Sequence, residues 1–356
     1  ALTLAPAPAH AADPITTQEY FSYYGFDAAR EKGYTGKGIT IALIDTPVDL
    51  SDPELAGANI TDKSRCTLEP SQTSSPHGNW MAALLVSQNY GVAPDATLYT
   101  YQTATDGAAS SGSCKQGANK LDRMENLINQ AIDDGAQIIS ISLSNNERSS
   151  EIKWAITRAI NEGVIIVSSS GNEAIYDDFT HLGRWSGVVG VTAINTDGTF
   201  ASYSSWGNGV VTAAVGGPVT IRDANTGELT TTSGTSNATA LVSGMLALAR
   251  QKWPSATTNQ ILQSLVRSGL NPNHEWNKYT GYGAISISDL LNTDPSQYPD
   301  ENPLAQKRGG SNPTVQEVQD YADGVVEPNP DTLGQSYVYR GIDEAAALMD
   351  DIGPVH

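Results

Sequence analysis

The sequence predicts an α/β protein, a three-layer αβα domain around a mostly parallel central sheet, followed by an irregular C-terminal tail. Three observations lead there. Short apolar, β-branched runs recur along the chain, the segments between them have helical apolar spacing, and turn formers bound the runs. Such runs read as strands buried on both faces, and strands alternating with helices of this length form βαβ units with right-handed crossovers.

Residues 38–44 (GITIALI), ending at Asp45, are the first such strand. A helix is expected at about 78–87, a strand at 96–101, a helix at 119–134 and a strand at 137–143 (QIISISL). The pattern repeats with a helix at 151–161 and a strand at 164–168 (VIIVS). Residues 188–194 and 210–215 read as further strands, and 219–223 with 228–232 flank Ala-Asn-Thr-Gly as a hairpin. A long small-residue helix is expected at 236–252, and 259–268 has the spacing of a helix on the outside of the domain. From Asp294 the texture turns to Pro, Asn, Asp and Gly, so SQYPDENPLAQKRGGSNP reads as a linker, followed by short helical candidates near 314–325 and 343–350. The division is therefore 1–11, 12–293 and 294–356, the last an acidic Pro/Asp-rich extension.

Of the 356 residues 39% are apolar and 17% charged, which is globular rather than disordered composition. A formal charge of -19, with no basic patch, disfavours nucleic-acid and membrane-surface partners. No apolar run reaches the roughly 18 residues that span a bilayer. Residues 1–11, with Ala9 and Ala11 flanking a cleavage point, read as the remnant of a secretory signal peptide, which predicts a secreted or cell-envelope location outside the cytoplasm. Cys66 and Cys114 are the only cysteines, and in an exported chain they are expected to form a disulfide. No structural metal motif accompanies them.

In open α/β sheets, ligands bind outside the carboxyl ends of the strands. Asp45 and Asn172 follow strands at that edge, and His77 and Ser236 begin helices that face it. A serine hydroxyl needs a base, neutral imidazole suits that role, and a carboxylate on the other ring nitrogen fixes the tautomer. A side-chain amide such as Asn172, with the Ser236 N–H, would stabilise an oxyanion. Of the other histidines, His181 and His274 lie in loop-like sequence and read as surface residues.

Ile-Asp-Thr (44–46), His-Gly (77–78), Gly-Val-Ala-Pro (91–94), Ser-Ile-Ser-Leu (140–143), Ser-Gly-Asn-Glu (170–173), Tyr-Ser-Ser-Trp-Gly (203–207) and Gly-Thr-Ser (234–236) occur in an order that resembles the subtilisin-like (S8) serine peptidases. The resemblance runs from about Gly33 to Ile287 and extends to the envelope-associated mycosins of actinobacteria. It implies a secreted serine endopeptidase with residues 12–293 as its catalytic domain, Asp45, His77 and Ser236 as a triad and Asn172 as oxyanion donor. It also implies that Ser142, Leu143, Ser144, Ser169, Ser170 and Gly171 line the pocket and pair with an extended polypeptide substrate. A substrate-pairing strand would correspond to about 110–112. A monomer is expected.

The sequence departs from that pattern after His77, where Gly-Asn-Trp-Met-Ala-Ala (78–83) stands, and after Ser236, where Asn-Ala-Thr-Ala-Leu-Val-Ser-Gly (237–244) stands. The stretch from His77 to Gly-Val-Ala-Pro is too short for the loop of a strong calcium site, so no cofactor is expected and calcium is doubtful. Ser144 replaces a common glycine. The stretch before the domain is too short for the usual inhibitory prodomain. Two rival readings keep the fold: a catalytically silent binding module, and acyl transfer or ester hydrolysis by the same residues.

Overall fold

The structure, a computed structural model, describes residues 14–68, 76–104, 112–115, 121–144, 149–177, 181–223 and 226–325. The sheet comprises β1 (Thr40–Asp45), β2 (Asn59–Asp62), β3 (Thr97–Gln102), β4 (Ile138–Ile141), β5 (Ile165–Ser169), β6 (Val189–Asn195) and β7 (Val210–Gly217). Its order is β2-β3-β1-β4-β5-β6-β7, and every pairing is parallel. The hairpin is also observed, as antiparallel β8 (Val219–Arg222) and β9 (Leu229–Thr232).

Alternation along the strands fills both faces. On β1, Ile41 and Leu43 enter one core with helices α3 (His77–Val86) and α6 (Thr235–Lys252), while Ala42 and Ile44 enter the other with α4 (Met124–Asp133) and α5 (Ser150–Asn161). This is the αβα sandwich expected of continuous apolar strands. Because α6 is buried from Thr235 to Ala249, its small residues allow it to lie close to the sheet.

Several elements depart from expectation. The short helices α1 (Glu19–Tyr24) and α2 (Phe26–Glu31) and the edge strand β2 were not signalled by the pattern. The helix expected at 119–134 begins only at Met124, after Arg123 in extended conformation. The helix expected at 259–268 is α7 (Thr258–Arg267), started by a capping box of Thr257 and Gln260. After α8 (Ile287–Asn292), the segment read as a linker is instead docked on the domain over residues 294–325. Leu304 is buried, Gly187 donates its N–H to the Leu304 carbonyl, and Ser186 donates its N–H to that of Asn312. Helix α9 (Val315–Ala322) lies on α5, with Tyr321 stacked on Trp154 and Lys153 paired with Glu317 at 2.5 Å. Polar, Pro-rich composition marks irregular backbone, and irregular backbone can be bound as well as free.

Residues 1–11 and the helix expected near 343–350 lie outside the described residues, as does most of the pairing strand expected at 110–112. No helix among the described residues is long and apolar enough to cross a membrane.

Candidate active site

Asp45 is the last residue of β1 and is almost fully buried. Its Oδ1 accepts the Thr46 N–H at 2.7 Å and the Thr46 hydroxyl at 3.3 Å, and lies 2.7 Å from His77 Nδ1. Oδ2 has no hydrogen-bond partner among the described residues. His77 is the first residue of α3, and Thr46 anchors that helix start by accepting the Gly78 N–H at 2.8 Å. The approach demands glycine, since a Cβ on residue 78 would stand 2.3 Å from the Thr46 carbonyl oxygen. Burial of the imidazole disfavours its cation, but the charge and hydrogen bond of Asp45 outweigh burial and hold the His77 pKa above the ordinary histidine value. The ring keeps 21% of its side-chain exposure.

Ser236 is the second residue of α6. Its hydroxyl donates to the Ser142 carbonyl at 3.2 Å, and the Ser142 hydroxyl donates back to the Ser236 carbonyl at 3.2 Å. No hydrogen bond joins the Ser236 hydroxyl to His77 in this arrangement.

The Asn172 amide can be oriented from its partners. Oδ1 accepts the Thr235 N–H at 2.8 Å and the Thr235 hydroxyl at 3.1 Å, while no acceptor among the described residues engages Nδ2. Gly234, the residue before α6, makes no side-chain cap, so Asn172 caps the helix from across the edge. The Thr235 hydroxyl lies within reach of the Gly171 N–H at 3.2 Å, which ties the segment after β5 to the same helix start.

The pocket candidates fall on two neighbouring strand ends. Ser142, Leu143 and Ser144 continue from β4, and Ser169, Ser170 and Gly171 leave β5, with Ile141 of one paired to Ser168 of the other. Ser170 donates its hydroxyl to the Ser205 carbonyl at 3.0 Å.

Cys66 and Cys114 are joined in a disulfide, with Cα atoms 4.9 Å apart. His181 corrects the reading as a surface residue. Its side chain is 10% exposed, Nδ1 lies 3.2 Å from Asp177 Oδ2, and the ring stands where a side chain on residue 171 would be. Loop-like sequence gave no sign of a tertiary partner. His274 does lie at the surface, with Nδ1 3.0 Å from the Gly269 carbonyl oxygen.

Residues that the sequence did not single out complete the frame. Asn79 is buried, accepts the Asp49 N–H at 2.9 Å and donates to Asp52 Oδ2 at 2.8 Å, locking the loop after β1 to α3. Asn237 donates to the Gly216 carbonyl at 2.9 Å, fixing β7 against the start of α6. Both lie in the departures from the usual motifs, and their buried polar side chains are the physical content of those departures. Among the described residues no group of three or more His, Cys, Asp or Glu could hold a metal ion.

A hydroxyl on a buried helix start, an imidazole held by a carboxylate and an oriented amide, all at the carboxyl edge of a parallel sheet, define the serine-hydrolase class of centre. Residues 36–283 match the subtilase (peptidase S8) family, and the chain belongs to that family. It is 32% identical over 252 residues to a thermostable alkaline protease of Halalkalibacterium halodurans, covering 68% of this chain and 65% of that protein. It is 28% identical to subtilisin E of Bacillus subtilis, covering 73% of this chain and 67% of that protein. The chain thus spans about two thirds of the length of these two relatives. Among solved structures, MycP1 from Mycobacterium smegmatis superposes with a TM-score of 0.65 at 22% identity, over 87% of this chain and 92% of that one. The prenylagaramide maturation protease PagA does so with a TM-score of 0.61 at 23% identity, over 75% and 97%. At these identities the structures bear on the fold alone.

Proposed function

We propose that the protein is a serine endopeptidase that hydrolyses peptide bonds through an acyl-enzyme on Ser236, with His77 as general base, Asp45 orienting the imidazole and Asn172 donating to the oxyanion. The observation that carries this reading is the 2.7 Å contact of Asp45 Oδ1 with His77 Nδ1, at the sheet edge where the helix bearing Ser236 begins. A carboxylate there keeps the proton on Nδ1 and leaves Nε2 as the base.

Reaction requires the Ser236 hydroxyl to leave the Ser142 carbonyl for Nε2. Hydrogen bonds of this kind tighten only when substrate is bound. Oγ then attacks the scissile carbonyl carbon as its proton passes to Nε2, and the negative charge that develops on the carbonyl oxygen meets Asn172 Nδ2 and the Ser236 N–H. The C–N bond breaks as the imidazolium gives its proton to the leaving amine. Water, deprotonated by His77, attacks the acyl carbon, and collapse returns the proton to Ser236 Oγ. Residues 142–144, which follow β4, and 169–171, at the end of β5, are the backbone with which a polypeptide would pair at this edge. The disulfide and the family relationship support a location outside the cytoplasm. A monomer suffices for this chemistry, because all four groups lie on one chain.

The second reading is a silent binding module. The Ser236 hydroxyl is engaged by Ser142 rather than by His77. Casein cleavage by the wild type and by Ser236→Ala separates the two. The peptidase reading expects cleavage to vanish in the variant, whereas no cleavage by the wild type, or equal cleavage by both, supports the silent module or a contaminant.

A further inference from the structure

A cavity of about 300 Å³ lies beside the first turns of α3, and none of the four reacting groups is in its lining. It is enclosed by the loop after β1, by α3 with the proline before it, and by β8 with its turn. The chain nevertheless ties its walls to the site. Pro76, in one wall, immediately precedes His77, and β8 and β9 lead into Gly234, Thr235 and Ser236. The segments at 142–144 and 169–171 belong to β4 and β5, whereas this cavity is built on the loop that leaves β1. On the peptidase reading, on which this inference rests, His77 hands its proton to the leaving amine, so the substrate beyond the scissile bond lies on the side of the helix that His77 begins.

The lining divides by chemistry. Ile15, Ala83, Leu84, Val219 and Ile221 are buried and apolar, and Trp80 is half-buried. The loop after β1 adds two carboxylates, of Asp49, which is exposed, and Asp52, which is half-buried. Asn79 sets both in place, since it accepts the Asp49 N–H at 2.9 Å and donates to Asp52 Oδ2 at 2.8 Å. Asn79 and Trp80 are two of the residues that depart from the usual motif after the histidine, and here they build one wall. The hydroxyl and N–H of Ser51 hold the Asp49 pKa below the ordinary aspartate value, so the carboxylate is ionised near neutral pH. Arg222 lies 3.5 Å from Glu54, and beyond that pair of opposite charges the described lining has Asp49, Asp52 and Asp223 but no other base. The cavity therefore carries an excess of negative charge.

We propose that this cavity takes a lysine or arginine side chain from the part of the polypeptide that follows the scissile bond, with Asp49, Asp52 and Trp80 setting that preference. A long basic side chain is apolar along its stem and cationic at its tip, and it buries the first while leaving the second at a polar edge. The apolar residues of α3 and β8 suit the stem. The carboxylates of the loop and the aromatic face of Trp80 attract the tip. A small cation would use only the acidic part of this lining, and an apolar side chain only the other. A polypeptide with a basic residue there uses both.

The test uses the full chain and quenched fluorescent peptides built on one site that it cleaves in casein. Each of the four positions after the scissile bond carries in turn lysine, norleucine, which has the stem without the ammonium, or glutamate. At one position lysine is expected to exceed norleucine in kcat/KM by about tenfold and glutamate by more. In Asp49→Asn/Asp52→Asn that lysine-to-norleucine ratio is expected to fall to about one. The ratio is read rather than the rate, so a general loss from a loosened loop cancels. If the double variant does not fold, Asp49→Asn alone is expected to lower the ratio at least about twofold. No position that prefers lysine, or a ratio unchanged in the variant, overturns the proposal. A wild type that cleaves no peptide contradicts the peptidase reading instead. The cavity is then judged by fluorescence anisotropy of labelled casein-derived peptides on Ser236→Ala, with the same lysine-to-norleucine ratio, now of Kd values, and the same two outcomes.

Discussion

Asn172 Oδ1 accepts the Thr235 N–H at 2.8 Å, so one side chain caps the helix that carries Ser236 and leaves its own Nδ2 without an acceptor among the described residues. The two ends of the amide have separate duties and can be separated by mutation. Asn172→Asp keeps an acceptor for Thr235 but removes the donor. It is expected to lower kcat by about 10²- to 10³-fold with Tm nearly unchanged. Asn172→Ala removes both, and is expected to lower kcat similarly and Tm by about 2 °C. Steady-state kinetics on a peptide substrate with calorimetry of the same samples checks this. An Asn172→Asp enzyme with wild-type kcat would remove Asn172 from the oxyanion site.

On the proposed mechanism the His77–Asp45 pair sets the acid limb of activity. The general base must be neutral, and its pKa is raised, so kcat/KM is expected to be half-maximal above the ordinary imidazole value of 6.5 and to rise with pH from there. Stability has the opposite sign. A histidine whose folded pKa exceeds its unfolded one contributes stability in full below the unfolded value, and that contribution is lost as pH rises through the folded value. NMR titration of the His77 ring in Ser236→Ala measures the pKa directly. Adding Asp45→Asn is expected to move it downward, because burial then acts alone, and a pKa that stays put in that variant would count against the ion pair as its cause.

Gly78 fixes the separation between β1 and α3. Gly78→Ala puts a methyl 2.3 Å from the Thr46 carbonyl oxygen, and the helix start that bears His77 must move. Overpacking of this kind costs about 2 to 3 kcal/mol, and a displacement near 1 Å costs about 100-fold in rate. Denaturant titration together with kcat shows whether both losses occur. Unchanged kcat would mean that the His77 position tolerates the shift.

The strands that carry the site were legible in the sequence because they are buried on both faces, and burial writes itself as runs rich in Ile, Val, Leu and Ala in β1, β4, β5 and β6. β2 was not legible, since Asn59 to Asp62 is an edge strand with one apolar residue, and neither were α1 and α2, six residues each and meeting at Gly25. Asp45, His77, Asn172 and Ser236 could be named because each sits at a strand end or helix start with its own motif. Thr46, Asn79, Asn237 and His181 could not, because what matters about them is a tertiary hydrogen bond or contact. Residues 294–325 were misread for the same reason, their anchors being tertiary contacts such as the Leu304 and Asn312 carbonyls, Tyr321 on Trp154 and Glu317 with Lys153.

The most direct test of the central claim is to treat the protein with a fluorophosphonate, digest it and locate the adduct by mass spectrometry, with His77→Ala in parallel. The account predicts a single adduct on Ser236 in the wild type and labelling slowed by at least about 10³-fold in His77→Ala. No adduct on Ser236, or labelling at the same rate in both, would contradict Ser236 as a nucleophile activated by His77.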